Sequence, residues 1–139
     1  MHGSDAVCQL AQERVGSIVF GVGFRLGSKT QKVVHRMKYG GFPSCGRDLG
    51  RWMAKGWDFE MQTTVLRRLK HRVSLTTSNR LARQEALRET FGLGDRRPLP
   101  HRVVLVDDVL TTGATFRACR RVLHDAGVDV LGGVWLAMG

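Results

Sequence analysis

The chain has 139 residues, of which 42% are hydrophobic, and a formal net charge of +10. This length fits one domain with a modest core, and the hydrophobic content is too high for a disordered chain. No apolar run approaches membrane-spanning length, and no secretory signal opens the sequence. The three cysteines are far apart and include no C-x-x-C pair. This pattern favours reduced thiols in a cytoplasmic protein and argues against a zinc ribbon.

The positive charge is concentrated in the first hundred residues. Residues 1–60 hold nine basic and five acidic side chains, whereas residues 61–90 hold seven and two. Residues 101–139 hold four of each. A basic surface suits a phosphorylated small ligand and suits nucleic acid equally well. Charge alone fits simple solubility about as well.

The first part of the chain predicts helices around one strand. Residues 1–15 show a short helical pattern, and 17–26 are rich in β-branched and aromatic residues, which predicts a strand. Ser28 is placed to cap a helix that ends at Gly40, and 45–57 predict another helix. The side chains of that last helix that we expect in the core are Leu49, Trp52, Met53 and Trp57.

The middle of the sequence indicates its secondary structure less clearly. Residues 61–73 suit a strand or a short helix, and their periodicity does not decide between them. Residues 78–91 predict an amphipathic helix with arginines facing outward, and 95–100 predict a loop.

The segment 102–115, RVVLVDDVLTTGAT, combines an apolar run, an acidic pair and a small polar loop. The run 102–106 predicts the central strand of a parallel sheet, buried on both faces. Asp107 and Asp108 then lie at its carboxyl end, where ligands bind in open α/β sheets. A small-residue loop that opens a helix is an anion site.

Three other interpretations of the acidic pair compete with an anion site. It could be a turn and helix cap without a ligand. It could be a Walker B strand, but no G-x-x-x-x-G-K-[ST] occurs in the sequence. It could belong to a receiver domain, but the pair lies too near the end of the sequence for the rest of that domain.

A helix and a strand follow the loop. Residues 115–126 predict a helix with an apolar face formed by Phe116, Cys119, Val122 and Leu123, and Gly127 ends it. Residues 128–138 predict a second parallel strand, interrupted at Gly132 and Gly133. Together with 102–106 they predict one right-handed βαβ unit. The fold class is therefore α/β with a parallel sheet.

The twelve residues VLVDDVLTTGAT resemble the signature of the type I phosphoribosyltransferases, which bind phosphoribosyl pyrophosphate (PRPP). The resemblance implies an abbreviated, Rossmann-like phosphoribosyltransferase fold over residues 1–139, with 1–60 ahead of a PRPP-motif half at 61–139. It implies that Asp107 and Asp108 are catalytic. It also implies a magnesium ion held mainly through the substrate, and no protein metal site. The implied 5′-phosphate ligands are Thr111, Thr112, Gly113, Ala114 and Thr115.

Upstream, VVHRMKYGGFPSCGRDLGRWMAKGW resembles the amino-terminal half of ComF-like competence proteins, which are phosphoribosyltransferase-fold proteins linked to DNA uptake. The family's V-P-V-P-L-H segment, whose loop binds pyrophosphate, is missing between Trp57 and Gln62. The family's amino-terminal zinc-binding cysteines are also absent. TTSNRLARQEALRETFGL matches the next family segment loosely. The resemblance therefore implies an internal deletion and reduced or absent transferase activity. Val109 and Leu110 replace an acidic residue of many relatives, which leaves no obvious general base.

A second function class remains open, a DNA-uptake accessory protein that binds single-stranded DNA through a basic face. Such a protein would act without a membrane span, as a homodimer or with a partner from the competence machinery. Few aromatic residues interleave with the basic ones, so stacking would contribute little. The residues expected to contact nucleic acid are Arg67, Arg68, Lys70, Arg72, Arg80, Arg83 and Arg88.

Overall fold

A computed structural model describes residues 2–16, 18–25, 27–39, 43–56, 58, 60–69, 90–95 and 97–139. The chain divides into two compact units, and each is described by itself. The first consists of Met1–Met61, Val104–Gly113 and Leu131–Gly139. The second consists of Gln62–Val103 and Ala114–Val130. The expectation of one domain over 1–139 stays a prediction.

The helices and first strand of the first unit lie where the sequence predicts them. They are α1 (His2–Val15), β1 (Ile18–Arg25), α2 (Ser28–Tyr39) and α3 (Pro43–Gly56). Ala11 and Val15, one turn apart on α1, are buried, and α1 packs on β1. Gly16 ends α1 with φ of +60°, and its N–H donates to the Gln12 carbonyl at 2.9 Å. Helices α2 and α3 pack on each other.

Trp52 contradicts its predicted place in the core, because its side chain is 71% exposed. Among the α3 positions whose burial is described, Gly50 and Ala54 are buried, one turn apart, and Gly50 lies against the Met61 side chain. Trp52 follows Gly50 by two residues, which is about 200° around a helix, so the indole faces solvent. The side chains of Leu49, Met53 and Trp57 lie outside the described residues.

A three-stranded sheet contains β1, β4 (Arg102–Leu110) and β5 (Asp129–Met138), in the order β1-β5-β4. Strand β5 is parallel to β1. It is also parallel to β4, because the N–H of Asp129 donates to the His101 carbonyl at 2.9 Å and that of Gly139 to the Leu110 carbonyl at 3.0 Å. Residue numbers therefore increase in the same direction along the two strands. The coarse prediction of an α/β fold with a parallel sheet is compatible with this arrangement.

The prediction that 102–106 is the central strand is wrong for the part of the chain described here. Among these strands β4 lies at the edge and β5 lies between its two neighbours. Burial explains the difference. Val130, Val134, Trp135 and Ala137 of β5 are buried, whereas Val103 to Leu105 are only half-buried and Val106 is 42% exposed. An apolar run alone therefore did not distinguish an edge strand from a central one.

Strand β5 is continuous through Gly132 and Gly133, where an interruption was predicted. The indole of Trp135, which is 2% exposed, lies over Gly133 two residues earlier on the same strand face. A Cβ at Gly133 would lie 2.8 Å from both Cζ2 and Cζ3 of that ring. The glycine therefore makes room for a buried tryptophan and does not break the strand.

The second unit contains a short antiparallel ribbon formed by β2 (Leu66–Arg68) and β3 (Phe91–Leu93). Leu66 pairs with Leu93 and Arg68 with Phe91. The predicted helix 78–91 is wrong at Phe91, which lies in β3, and 78–89 lie outside the described residues. The loop predicted at 95–100 contains no helix or strand at its described positions.

Helix α4 (Ala114–Asp125) packs on β3 and agrees with the predicted helix 115–126 to within one residue at each end. Phe116, Cys119 and Leu123 are buried, as predicted, while Val122 is only half-buried. Gly127, with φ of +78°, donates to the His124 carbonyl, and Val128 donates to that of Leu123. These two bonds form a Schellman motif, for which the sequence signal is the glycine.

Candidate functional site

Strand β4 runs past the acidic pair to Leu110, whereas the sequence predicted that it ends at 106. Asp107 and Asp108 are therefore strand residues, two positions before its end. The hydrogen bond from the Gly139 N–H to the Leu110 carbonyl shows why, since pairing with β5 extends beyond the carboxylates. The acidic pair thus has the extended backbone of a strand, and the loop 111–113 begins after two more strand residues.

The two carboxylates are half-buried and bind the backbone next to them. Oδ1 of Asp107 accepts from the Asp108 N–H at 2.9 Å, and Oδ1 of Asp108 accepts from the Val109 N–H at 2.7 Å. Consecutive residues of a strand point to opposite faces, so these side chains do not converge on one point. Any ligand on one face of the sheet therefore contacts them unequally.

The loop predicted to bind phosphate forms a tight turn into α4. Thr111 and Thr112 are exposed, Gly113 is buried with φ of +74°, and α4 begins at Ala114. The exposed Thr115 lies in the first turn of that helix. The positive end of the α4 dipole lies at the amino terminus of the helix, at Ala114. That residues 111–115 bind phosphate stays a prediction.

Arg14, in the last turn of α1, reaches this loop from the other end of the sequence. Its Nη1 donates to the Thr111 carbonyl at 2.8 Å and also to the Gly139 carbonyl. The first bond spans 97 residues of sequence. Sequence reasoning missed Arg14, because nothing in the local pattern distinguishes it from other arginines at the end of a helix.

The carboxylates suit magnesium only as a minor ligand set. Magnesium prefers octahedral oxygen coordination and commonly takes one or two carboxylates together with substrate phosphates and waters. In the part of the chain that the structure describes, no group of three or more His, Cys, Asp or Glu side chains could hold a metal ion. Asp107 and Asp108 point to opposite strand faces, so they do not form a chelating pair on their own. Magnesium binding through a phosphorylated ligand stays a prediction.

Two of the residues expected to contact nucleic acid are described, and both are exposed on β2. Arg67 lies 4.0 Å from Asp95 through Nη1 and Oδ1, and Cζ of Arg68 lies 5.9 Å from the centre of the Phe91 ring. As neighbours on a strand they point to opposite faces of the ribbon. The positions that fall outside the described residues are Lys70, Arg72, Arg80, Arg83 and Arg88.

None of the helices in the described ranges is both long enough and apolar enough to cross a membrane.

Comparison with known proteins gives one partial match. The chain is 31% identical over 85 residues to Competence protein F of Haemophilus influenzae. The matched segment is 60% of this chain and 35% of that protein. No family model and no solved structure matches the chain. The chain is therefore related to Competence protein F by a partial sequence match that spans about a third of that protein's length.

Proposed function

We propose that this chain binds PRPP or a related phosphoribosyl ligand through 104–115, as a ComF-like protein with reduced or no transferase activity. The observation that carries the proposal is Gly113, whose φ of +74° turns the chain from the end of β4 into α4. Only a residue without a Cβ adopts this conformation readily, and it also lets a phosphate approach the backbone closely. The partial match to Competence protein F supports the same family.

The 5′-phosphate is the part of the ligand that the loop would hold. A phosphate monoester carries nearly two negative charges and needs several N–H donors, with no carboxylate in contact. Residues 111–115 offer backbone donors beside the positive end of α4, together with three threonine hydroxyls. The exposure of Thr111, Thr112 and Thr115 leaves their side chains accessible from solvent.

The ribose would lie against the acidic pair, and its 2′- and 3′-hydroxyls would donate hydrogen bonds to the carboxylate that faces it. Because Asp107 and Asp108 point to opposite strand faces, one carboxylate would contact the sugar and the other would act mainly through the backbone. The same negative charge would stabilise positive charge that develops on the sugar ring. A magnesium ion held mainly through substrate and water oxygens would supply positive charge next to the pyrophosphate.

Turnover is expected to be weak, because the chain lacks the family's pyrophosphate-binding segment between Trp57 and Gln62. In the family, pyrophosphate leaves C1′ through an oxocarbenium-like state, so donors at the leaving group matter. The chain also carries Val109 and Leu110 after the acidic pair, neither of which can accept a proton from a nucleobase. Binding without efficient transfer is therefore the function that the site supports best.

Calorimetric titration with PRPP and magnesium tests the proposal. Wild-type protein should bind, and Gly113→Val should abolish binding, because valine at this φ is strained and its branches block the phosphate. Gly127→Val is the matched control, since Gly127 has a φ of +78° but ends α4 at the opposite end from the loop. Absence of binding by wild-type protein, or equal loss in both variants, would contradict the proposal.

A second candidate function is a competence accessory role with single-stranded DNA. Two observations favour it: the relative's name, Competence protein F, and the exposure of Arg67 and Arg68 in a chain with a net charge of +10. The contact would be mainly electrostatic and would depend strongly on salt.

A further inference from the structure

We infer that Arg14 is a positioning residue for the loop 111–115, a role that rests on the proposed binding of a 5′-phosphate there. The inference starts from its hydrogen bond to the Thr111 carbonyl at 2.8 Å. A guanidinium donor makes this a charge-assisted bond, which is stronger than a bond between neutral groups. The helix backbone that carries the Arg14 side chain is held in place, since Arg14 directly precedes the buried Val15 and follows the buried Ala11 by three residues.

The geometry of one peptide unit connects Arg14 to the ligand. In a planar trans peptide the carbonyl of one residue and the N–H of the next point in opposite directions. The Thr111 carbonyl points to Arg14, so the Thr112 N–H points away from α1. The next residue is Gly113 with its positive φ, and then α4 begins. By holding the Thr111 carbonyl, Arg14 therefore fixes the direction of the Thr112 N–H.

The same guanidinium joins the ends of two adjacent strands. It also donates to the Gly139 carbonyl, and the Gly139 N–H in turn donates to the Leu110 carbonyl at 3.0 Å. Leu110 ends β4 immediately before the loop, and Gly139 follows β5. Arg14 thus bonds to the backbone of the loop at Thr111 and to the backbone of the neighbouring strand's end at Gly139. Its charge also adds to the positive potential that a phosphate would meet.

The ligand-binding test uses ribose 5-phosphate, which carries the 5′-phosphate without pyrophosphate. Arg14→Met should weaken its binding by at most roughly tenfold, because the loop is then no longer held before the ligand arrives. The cost of ordering the loop cannot exceed the strength of the charge-assisted hydrogen bond that held it. Arg14→Lys, which keeps the charge and one donor, should recover part of that loss. The matched control is Arg51→Met, since Arg51 is also an exposed arginine of the first unit but bonds to Asp48 of its own helix.

A second measurement, on the protein without ligand, separates this inference from the proposed function. Amide hydrogen exchange at Thr112 and Gly113 should be faster in Arg14→Met than in wild type or in Arg51→Met, because the peptide is no longer held. If wild type binds ribose 5-phosphate and Arg14→Met binds equally well, the positioning role is overturned while the proposed function stands. If wild type does not bind, the proposed function fails. Exchange at these amides then decides whether Arg14 holds the loop. Equal exchange rates in Arg14→Met and wild type would refute the positioning role.

Discussion

Asp107 and Asp108 are joined by a hydrogen bond from the Asp108 N–H to the Asp107 carboxylate at 2.9 Å, although their side chains belong to opposite faces of β4. The adjacent acidic residues of the motif are therefore not equivalent. By the alternation of side chains along a strand, Asp107 belongs to the face of Leu105 and Val109, and Asp108 to the face of Val106 and Leu110. A ligand that approaches one face meets one carboxylate directly.

The first prediction follows from this non-equivalence. Asp108→Asn should weaken PRPP binding, and Asp107→Asn should change it to a different extent, by more than about fivefold between the two variants. Titration calorimetry with PRPP and magnesium measures both. Asp95→Asn is the control, because that side chain is 98% exposed. Equal losses for the two variants would show that both carboxylates contact the ligand alike and would contradict the opposite-face arrangement.

The second prediction concerns stability and does not depend on any ligand. Gly133→Ala should lower the free energy of unfolding by about 1–3 kcal/mol, because its Cβ would overlap the buried Trp135 ring. Urea unfolding followed by circular dichroism measures the change. Gly56→Ala is the control, since nothing lies within 4 Å of a Cβ there and its φ is not positive. Similar stability of the two variants would mean that the indole can move aside.

The local parts of the fold were predictable from the sequence. The helix at Ala114–Asp125 and its end at Gly127 depend on residues within about three turns of each other, namely an apolar face and a glycine with positive φ. The loop beside it was recognised for the same reason, because a short polar run between a strand and a helix is a local pattern. Strand β1 and helix α2 are likewise predicted from local composition, although the N-cap of α2 is Gly27, whose carbonyl accepts from the Gln31 N–H, and not the predicted Ser28.

The parts that failed depend on contacts far along the chain. The end of β4 is set by pairing with Gly139, and its edge position is set by which strand lies next to β5. Trp52 was assigned to the core from residue type, but the direction of the buried face of α3 is decided by what packs there. Arg14 lies 97 residues from Thr111, so no window of sequence contains both.

The third prediction is weak or absent transferase activity. With PRPP, magnesium and any common nucleobase, pyrophosphate release should fall far below that of related transferases. Each missing donor at an oxyanion costs a factor of about one hundred or more in rate. A coupled pyrophosphate assay measures this, and the calorimetric titration shows in parallel whether PRPP is bound. Robust release at relatives' rates would refute the prediction and would require other donors for pyrophosphate.

The last prediction separates the second candidate function from simple surface charge. Single-stranded DNA should bind weakly and without sequence preference, and affinity should fall steeply as salt rises. Arg67→Gln combined with Arg68→Gln should weaken binding and reduce the salt slope by between about 0.7 and 1.4, depending on whether one or both arginines contact a phosphate. Arg120→Gln combined with Arg121→Gln is the matched control, because these are also exposed consecutive arginines of the second unit and remove the same charge. Filter binding over a salt series measures all three proteins.

Equal effects of the two double variants would indicate that total charge alone attracts DNA. No retention of DNA at low salt would rule out this binding altogether. Loss of retention on addition of PRPP would show that DNA and the small ligand compete for this protein.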